Sequence, residues 1–380
     1  MPMTAEQSLY KPHSLKLDTW PEHLQRAWHA AFEAKTLFAK PGRASKWRAK
    51  SAEKTRKGFG IALHWLRSRS GVSLEDFKAK RIEDLFTRDF VAAYVDDLYK
   101  INASRTIENR IQELYDALRV ITPHLPEHHW DWLKNAWKNL RSQSRSVRNK
   151  LSRLKEADQI EVLGLKLMQQ ADAALKRNHR RKEGLTELQR ALMYRDGLMI
   201  ALLIRRPFRI SNFFSLTIGK TILFDHNTIS FAFDGSEMKN HLAFDVPFPD
   251  YLVPAIIRYI KHYRPILLTT SAKSDGTATD RLWVSRDGTA LTEGPVRVAI
   301  YKRTKSEFGA TIPPHWFRDS VVTTLVHDAP ASALISGHVL GHASIDIAQK
   351  HYNQALMVES TRRNTALIET MITKPDSAAA

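Results

Sequence analysis

The segment from His315 to Tyr352 constrains this chain more than any other part of its sequence. Two prolines precede His315 and predict the start of a helix, so one face of the first turn carries both His315 and Arg318. Gly341 then predicts the end of a helix, which places His342 at that end and returns the chain towards Tyr352. A phenol and several groups that carry protons or positive charge are therefore expected to meet around one phosphate.

The order H-x-x-R, then L-G-H, then a tyrosine resembles the catalytic half of the tyrosine recombinases, the phage integrase family. That resemblance implies six catalytic positions, including an arginine earlier in the chain and a lysine on a β-turn. In this sequence they are filled by Arg209, Lys239, His315, Arg318, His342 and Tyr352. The resemblance implies a site-specific DNA recombinase or integrase that cleaves and rejoins strands through a 3′-phosphotyrosine, with Tyr352 as nucleophile and with no metal or cofactor.

Two other arginines compete for the first catalytic position. Arg209 is followed by Ile and Ser, which fits the family's pattern, while Asn212 stands where the family usually has an acid. Arg205 and Arg206 lie just before it and remain open as alternatives.

The spacing of the nucleophile departs from the family by one residue. Tyr352 follows His342 by ten residues instead of the usual nine, and His351 stands at the usual tyrosine position. A histidine cannot form the stable phosphoester that this chemistry needs, so the prediction keeps Tyr352. His338 and His342, four residues apart, also admit a metal site, although no third ligand or Glu-flanked motif accompanies them.

Charge and cysteine content limit the partners of this chain. The formal net charge is +18, and the basic residues are spread along the sequence, which favours DNA over an anionic membrane as the partner. The chain has no cysteine, which excludes disulfides, thiolate zinc sites and cysteine nucleophiles. No signal peptide or membrane-length apolar run is found, so a soluble cytoplasmic protein is expected.

The N-terminal third is predicted to be helical. Residues 1–17 are expected to be a flexible N-terminus and 18–140 a helical domain, which by its position resembles the core-binding domain of integrases. A first helix is expected from residue 19 to before Pro41, a second over 44–70, and a buried one from Ser104, where apolar residues recur every three or four positions. Seven of the nine tryptophans precede residue 140 and are expected to form its core.

Two clusters of basic residues are predicted to bind DNA. Clustered lysines and arginines suit phosphate neutralisation, although a solvated basic face is the alternative. The first cluster comprises Lys46, Arg48, Lys50, Lys54, Arg56 and Lys57. The second comprises Arg145, Arg148 and Lys150, in a predicted basic linker over residues 141–150.

The remainder is predicted to be mainly α with one small three-stranded antiparallel β-sheet. The strands are expected over residues 217–223, near 229–233 and near 242–246, with Lys239 on the turn before the third. A helix is expected over 250–263, ended by Pro265, and a basic helix from Thr292 to Gly309. Residues 151–355 form the predicted tyrosine-recombinase catalytic domain.

Residues 356–380 are predicted to form an amphipathic tail helix. It could pack on its own domain, but the resemblance implies that it docks on a neighbouring subunit. The resemblance implies a homo-tetramer on two double-stranded DNA sites, serving a mobile genetic element, and leaves room for directionality or DNA-bending factors. Two other functions stay open. One is a catalytically silent or regulatory DNA-binding protein of the same fold, and the other is a type IB topoisomerase-like enzyme that relaxes DNA.

Overall fold

Two separate hydrophobic cores divide the chain into residues 1–149 and residues 150–380. This division is seen in a computed structural model of the whole sequence. The structure describes residues 11–37, 40–69, 71–144, 154–177, 184–225, 228–237, 243–269, 279–328, 360, 364–365 and 367–369.

The first unit is built from helices packed around α6. The apolar residues Ile107, Ile111 and Leu114 of this helix are fully buried, which confirms the buried helix predicted from their spacing. The helices are α1 (Glu22–Ala30), α2 (Ala49–Arg69), α3 (Leu74–Ala79), α4 (Ile82–Leu85), α5 (Arg88–Tyr99), α6 (Ser104–Ile121) and α7 (Asp131–Gln143).

The tryptophans of this unit belong to its core, as predicted. Trp20, Trp28, Trp65 and Trp130 are at most 5% exposed. Trp47, Trp132 and Trp137 are partly buried and pack against the same cluster. A helical unit of this size obtains much of its buried apolar area from such large side chains.

The first two helices are shorter than predicted. α1 ends at Ala30 because the chain turns back, and the amide of Ala44 donates to the Ala31 carbonyl at 2.7 Å. A Cβ on Gly42 would lie 2.4 Å from the Ala30 carbonyl oxygen, so only glycine permits this approach. Helix α2 begins at Ala49, after the turn that contains Lys46, and not at residue 44.

The second unit combines helices with one small sheet. Its helices are α8 (Ala157–Arg177), α9 (Glu187–Arg205), α10 (Ile210–Phe214), α11 (Val253–Arg258), α12 (Arg264–Thr269), α13 (Glu293–Phe308) and α14 (Pro314–Asp328). Its strands are β1 (Ile222–Asp225), β2 (Thr228–Phe233) and β3 (Phe244–Pro247). The antiparallel order β1-β2-β3 confirms the predicted sheet.

Helices α8 and α9 approach each other at two glycines. A Cβ on Gly197 would lie 2.6 Å from the Gly164 carbonyl oxygen, and a Cβ on Gly164 would lie 2.7 Å from the Ala201 amide nitrogen. Since these contacts are with backbone atoms, the helices can be this close only without side chains. This packing holds α9 in the centre of the second core.

The first strand begins five residues later than predicted. Residues 217–221 form a tight turn, in which Gly219 has a positive φ of 77° and its amide donates to the Ile222 carbonyl at 2.9 Å. The Thr221 hydroxyl accepts from the Thr217 amide at 2.7 Å. Because these bonds are local, the sheet pairing starts at Ile222.

Pro265 does not end the helix that was predicted to stop before it. The turn Tyr259–Tyr263 is π-helical, and α12 continues through Pro265 to Thr269. Proline lacks an amide hydrogen and crowds the carbonyl four residues earlier, and a wider π turn at that place relieves both problems.

The overall class, mainly α with a small three-stranded antiparallel sheet, is as predicted. Among the helices that the structure describes, none combines the length and apolar content that a membrane crossing requires.

Candidate active site

Three arginines lie at or just after the end of α9, and each has a different environment. Arg205 Nε donates to Glu161 Oε1 at 2.7 Å and to the Tyr251 hydroxyl at 3.1 Å. The Tyr251 hydroxyl also donates to Glu161, whose side chain is 9% exposed. This hydrogen bonding raises the pKa of Arg205 above its ordinary value and ties the guanidinium to α8.

Arg206 is held by the sheet. Its Nη2 donates to the Pro247 carbonyl at 3.0 Å, at the end of β3. Both arginines that competed for the first catalytic position therefore contact groups outside the cleft described below.

Arg209 lies at the N-cap of α10. The amides of Asn212 and Phe213 donate to its carbonyl at 2.9 Å and 3.0 Å, which fixes its backbone. Phe213 is fully buried, so the start of α10 is anchored in the core while the side chain of Arg209 lines a cleft.

Helix α14 supplies the other side of this cleft. Pro314 occupies its first position, as predicted, and the amide that proline lacks would have had no partner there. Trp316 and Phe317 are 5% and 0% exposed and fix the first turn against the core. His315 is exposed, Arg318 is half-buried, and both side chains line the cleft.

The cleft has a volume of about 200 Å³ and a basic lining. It brings together three of the six predicted catalytic residues, namely Arg209, His315 and Arg318. The described lining contains no carboxylate. It consists of Phe208, Arg209, Ile210, Arg297, Pro314, His315 and Arg318.

The electrostatics of the cleft favour an anion. Burial and, after it, the positive charge of Arg209 lower the pKa of Arg318 to about 10, while Asp319 opposes the shift. The guanidinium therefore remains charged at neutral pH, although burial removes part of its hydration. An anionic phosphate between the two arginines would relieve their repulsion and replace the lost hydration.

The other three predicted catalytic residues, Lys239, His342 and Tyr352, lie outside the described residues. The same holds for the linker residues Arg145, Arg148 and Lys150, and for His338 and His351.

The first predicted DNA-binding cluster lies at and before the start of α2. Lys46, Arg48, Lys50, Lys54 and Lys57 are exposed, and Arg56 is half-buried. Lys57 pairs with Glu53 at 2.7 Å, and Lys54 approaches the buried Glu113 at 3.6 Å. Two of these cations thus already have acidic neighbours, whereas their location on one exposed surface is compatible with a DNA contact.

One residue of the cleft was not among the predicted catalytic residues. Arg297 lies in the second turn of α13, which the sequence did predict as a basic helix ending at Gly309. That helix directly precedes His315 and Arg318 in the chain, and this proximity is the signal that could have drawn attention to Arg297. Thr292 is at the N-cap as predicted, but its side chain makes no capping hydrogen bond.

Comparison with known proteins agrees with this arrangement. Residues 177–359 match the sequence model of the phage integrase family, and the matched range contains all six predicted catalytic positions. No curated protein matches the chain in sequence.

Of three solved structures that match the chain, one reaches a TM-score of 0.50 and shows a shared fold. The XerH site-specific recombinase bound to difH substrate in a pre-cleavage complex has a TM-score of 0.50 and 13% identity, covering 84% of this chain and 81% of that chain. The XerH post-cleavage complex on palindromic difH has a TM-score of 0.49 and 13% identity, covering 82% and 79%. The XerA recombinase has a TM-score of 0.36 and 15% identity, covering 90% and 98%.

The family match falls on the unit that carries the basic cleft. Residues 177–359 of this chain are therefore a domain of the phage integrase family, the tyrosine recombinases.

Proposed function

We propose that this protein is a site-specific DNA recombinase that cleaves and rejoins DNA strands through a 3′-phosphotyrosine on Tyr352. The observation that carries the proposal is the convergence of Arg209, His315 and Arg318 on one cleft within a domain of the tyrosine recombinase family. Two arginines and a histidine in a cleft whose described lining has no carboxylate suit a phosphodiester better than a neutral or cationic substrate.

The two arginines stabilise the charge that develops on phosphorus. Each planar guanidinium can donate two parallel hydrogen bonds to non-bridging oxygens and stays charged at neutral pH. Donors that are positioned before the reaction stabilise the transition state without reorganisation. The fixed backbone of Arg209 and the buried neighbours of Arg318 support that role.

The covalent step exchanges one ester for another. The phenol oxygen of Tyr352 attacks phosphorus, the bond to the 5′-oxygen breaks, and the phenol proton passes to His315. Lys239 gives a proton to the leaving 5′-oxygen, and His342 hydrogen-bonds the phosphate and supports the tyrosine. Rejoining is the reverse reaction with a 5′-hydroxyl as nucleophile, so the bond energy is retained in the phosphotyrosine and no cofactor is required.

DNA is the proposed partner of both units. The net charge of +18 supports binding to a polyanion, and the exposed cluster that includes Lys46, Arg48 and Lys50 supports a backbone contact by the first unit. Lys54, Arg56 and Lys57 belong to the same proposed surface, and Arg145, Arg148 and Lys150 to a proposed contact by the linker. The XerH recombinase was captured on its difH substrate, and we extend DNA binding to this chain.

A homo-tetramer on two DNA sites is the proposed working assembly. The described residues of the tail, 360, 364–365 and 367–369, are helical, and Leu367 and Ile368 are 56% and 46% exposed. Apolar side chains exposed to this extent support a tail that docks on a neighbouring subunit.

Covalent capture on a library of nicked DNA duplexes tests this function. A nick next to the cleaved position lets the 5′-hydroxyl fragment diffuse away, so the protein stays attached to the remaining strand. We expect an adduct on a restricted set of sequences, and recombination between two copies of the selected site. Relaxation of supercoiled DNA without exchange would instead indicate the topoisomerase-like activity, and tight binding without any adduct a catalytically silent DNA-binding protein.

A further inference from the structure

We propose that Arg297 binds a DNA phosphate next to the one that reacts. In the absence of DNA, the Arg297 guanidinium forms an ion pair with Glu293, and the phosphate displaces the carboxylate. This inference rests on the proposed function, because it assigns part of the substrate to a residue outside the six predicted catalytic positions. It concerns the strand on which Arg209 and Arg318 act, since all three arginines line one cleft.

The number of donors argues for a second phosphate. A phosphodiester offers two non-bridging oxygens, and two bidentate guanidiniums together with the proposed His342 contact already engage them. Arg209 and Arg318 supply these donors, so a third guanidinium in the same cleft is left for the neighbouring phosphate of the strand.

Helix α13 is held in a fixed position, so the location of Arg297 is set by the fold. Val296, Ile300 and Thr304 are fully buried along its inner face. On the same helix, Arg303 Nε donates to Asp196 Oδ2 at 2.9 Å, and the Asp196 side chain is 6% exposed. Arg297 is exposed on this anchored helix and lines the cleft.

The ion pair of Arg297 can be exchanged for a phosphate. Arg297 Nη2 donates to Glu293 Oε1 at 2.5 Å, one helical turn earlier, and the two side chains are 46% and 32% exposed. A pair this exposed contributes little to stability and is screened by salt, so a phosphate can displace it at small cost. A guanidinium–phosphate contact also releases a counterion from DNA, which the internal pair does not.

The chain contains a matched control for this pair. In α1, Glu22 also occupies the first helical position, and Arg26 follows four residues later with a pair at 2.6 Å. The two side chains of that pair are 81% and 69% exposed, and they belong to the first unit. Substitutions there remove the same charges from an equivalent helical setting.

The experiment measures duplex DNA affinity of the full-length protein against salt concentration. For Arg297→Ala we expect a slope of log affinity against log salt that is smaller by about 1, and a threefold to tenfold loss, on the order of one phosphate contact, at low salt. Arg297→Lys should keep most of the slope because it keeps the charge. The control Arg26→Ala should match the wild type, and thermal unfolding should show that all variants are folded.

A double-mutant cycle tests the role of Glu293. Glu293→Gln should strengthen DNA binding about twofold to threefold by freeing Arg297, and it should have no effect in the Arg297→Ala background. An unchanged salt slope in Arg297→Ala, or a Glu293→Gln effect that persists without Arg297, would overturn the proposal. A loss that depends on base identity instead of phosphate charge would overturn it as well.

The two proposals fail separately. If the wild type forms no covalent adduct on any DNA, the recombinase function fails whatever the binding slopes show. If the adduct forms but Arg297→Ala behaves as Arg26→Ala does, only the assignment of Arg297 fails.

Discussion

Arg318 Nη1 donates a hydrogen bond to the backbone carbonyl of Pro207, two residues before Arg209. The contact joins the start of the second turn of α14 to the segment between α9 and α10, which precedes α14 by about a hundred residues in the sequence. One arginine of the cleft thereby helps to position the backbone that presents the other.

Replacement of Arg318 by lysine should make strand cleavage sensitive to alkaline pH. Burial and the charge of Arg209 already lower the pKa of the arginine, and the same causes would lower the pKa of a lysine from its usual value of about 10.4 towards neutrality. The lysine loses its proton as pH rises, so cleavage by Arg318→Lys should fall between about pH 7 and about pH 9, while the wild type changes little. Parallel pH profiles of single-turnover cleavage for the two proteins would contradict this prediction.

Substitution of Arg205 should mainly lower stability, whereas substitution of Arg209 should mainly abolish DNA cleavage. Arg205→Ala leaves the buried carboxylate of Glu161 with the Tyr251 hydroxyl as its described partner, and should lower the free energy of unfolding by about 1–3 kcal/mol. Arg209→Ala should leave the protein folded, because the half-buried side chain lines the cleft and the backbone hydrogen bonds that anchor α10 remain, yet abolish cleavage. Urea unfolding and adduct formation are measured on both variants. Loss of cleavage in the folded Arg205→Ala protein, with activity kept in Arg209→Ala, would reverse the assignment.

Where α8 meets α9, the space beside Gly197 accommodates a hydrogen atom but no larger side chain. Gly197→Ala places a Cβ 2.6 Å from the Gly164 carbonyl oxygen, so the helices must separate, at a cost of about 3 kcal/mol. Gly294→Ala in α13 is the control, since its Cβ would meet nothing within 4 Å. That variant should be stabilised by about 0.4–1 kcal/mol. Equal unfolding midpoints for the two alanine variants would show that the close approach is wrong.

A buried carboxylate should make the first unit respond to pH. Burial raises the pKa of Glu113 in the folded state, although Arg110 and Lys54 oppose the shift. A carboxyl with a raised folded pKa favours folding most below its unfolded pKa, and this contribution is lost as pH rises through the folded pKa. Glu113→Gln should therefore be more stable than the wild type at neutral pH, with an advantage that shrinks as pH falls through the raised folded pKa and is gone below about pH 4.5. An advantage that grows on acidification would show that the ion pairs outweigh burial.

Much of the fold followed from local patterns in the sequence. The apolar period of α6, the alternation in β2 and the glycine that ends α13 each specify one conformation without help from distant residues. The start of β1 and the helix through Pro265 could not be predicted in the same way. Both depend on contacts or hydrogen bonds, such as that between Thr217 and Thr221, that compete with the general rule for the residue type.

The residues of the candidate site also differ in how far the sequence predicts them. Arg209, His315 and Arg318 were predicted from motif order, and they line one cleft. The order of motifs could not distinguish Arg209 from Arg205, because the difference lies in Glu161, which is 44 residues away in sequence and bonded to Arg205. Arg297 was missed for a similar reason, since no motif marks it and its position depends on the packing of α13.

The measurement that tests the central claim most directly is the mapping of the covalent adduct. Wild-type protein is trapped on a nicked duplex carrying its selected site, and the attached residue is identified by mass spectrometry of the digested complex. The account predicts a 3′-phosphate ester on Tyr352, and it predicts that Tyr352→Phe binds the same DNA with similar affinity but forms no adduct. An adduct that persists in Tyr352→Phe, or one that maps to His351 or another tyrosine, would contradict it.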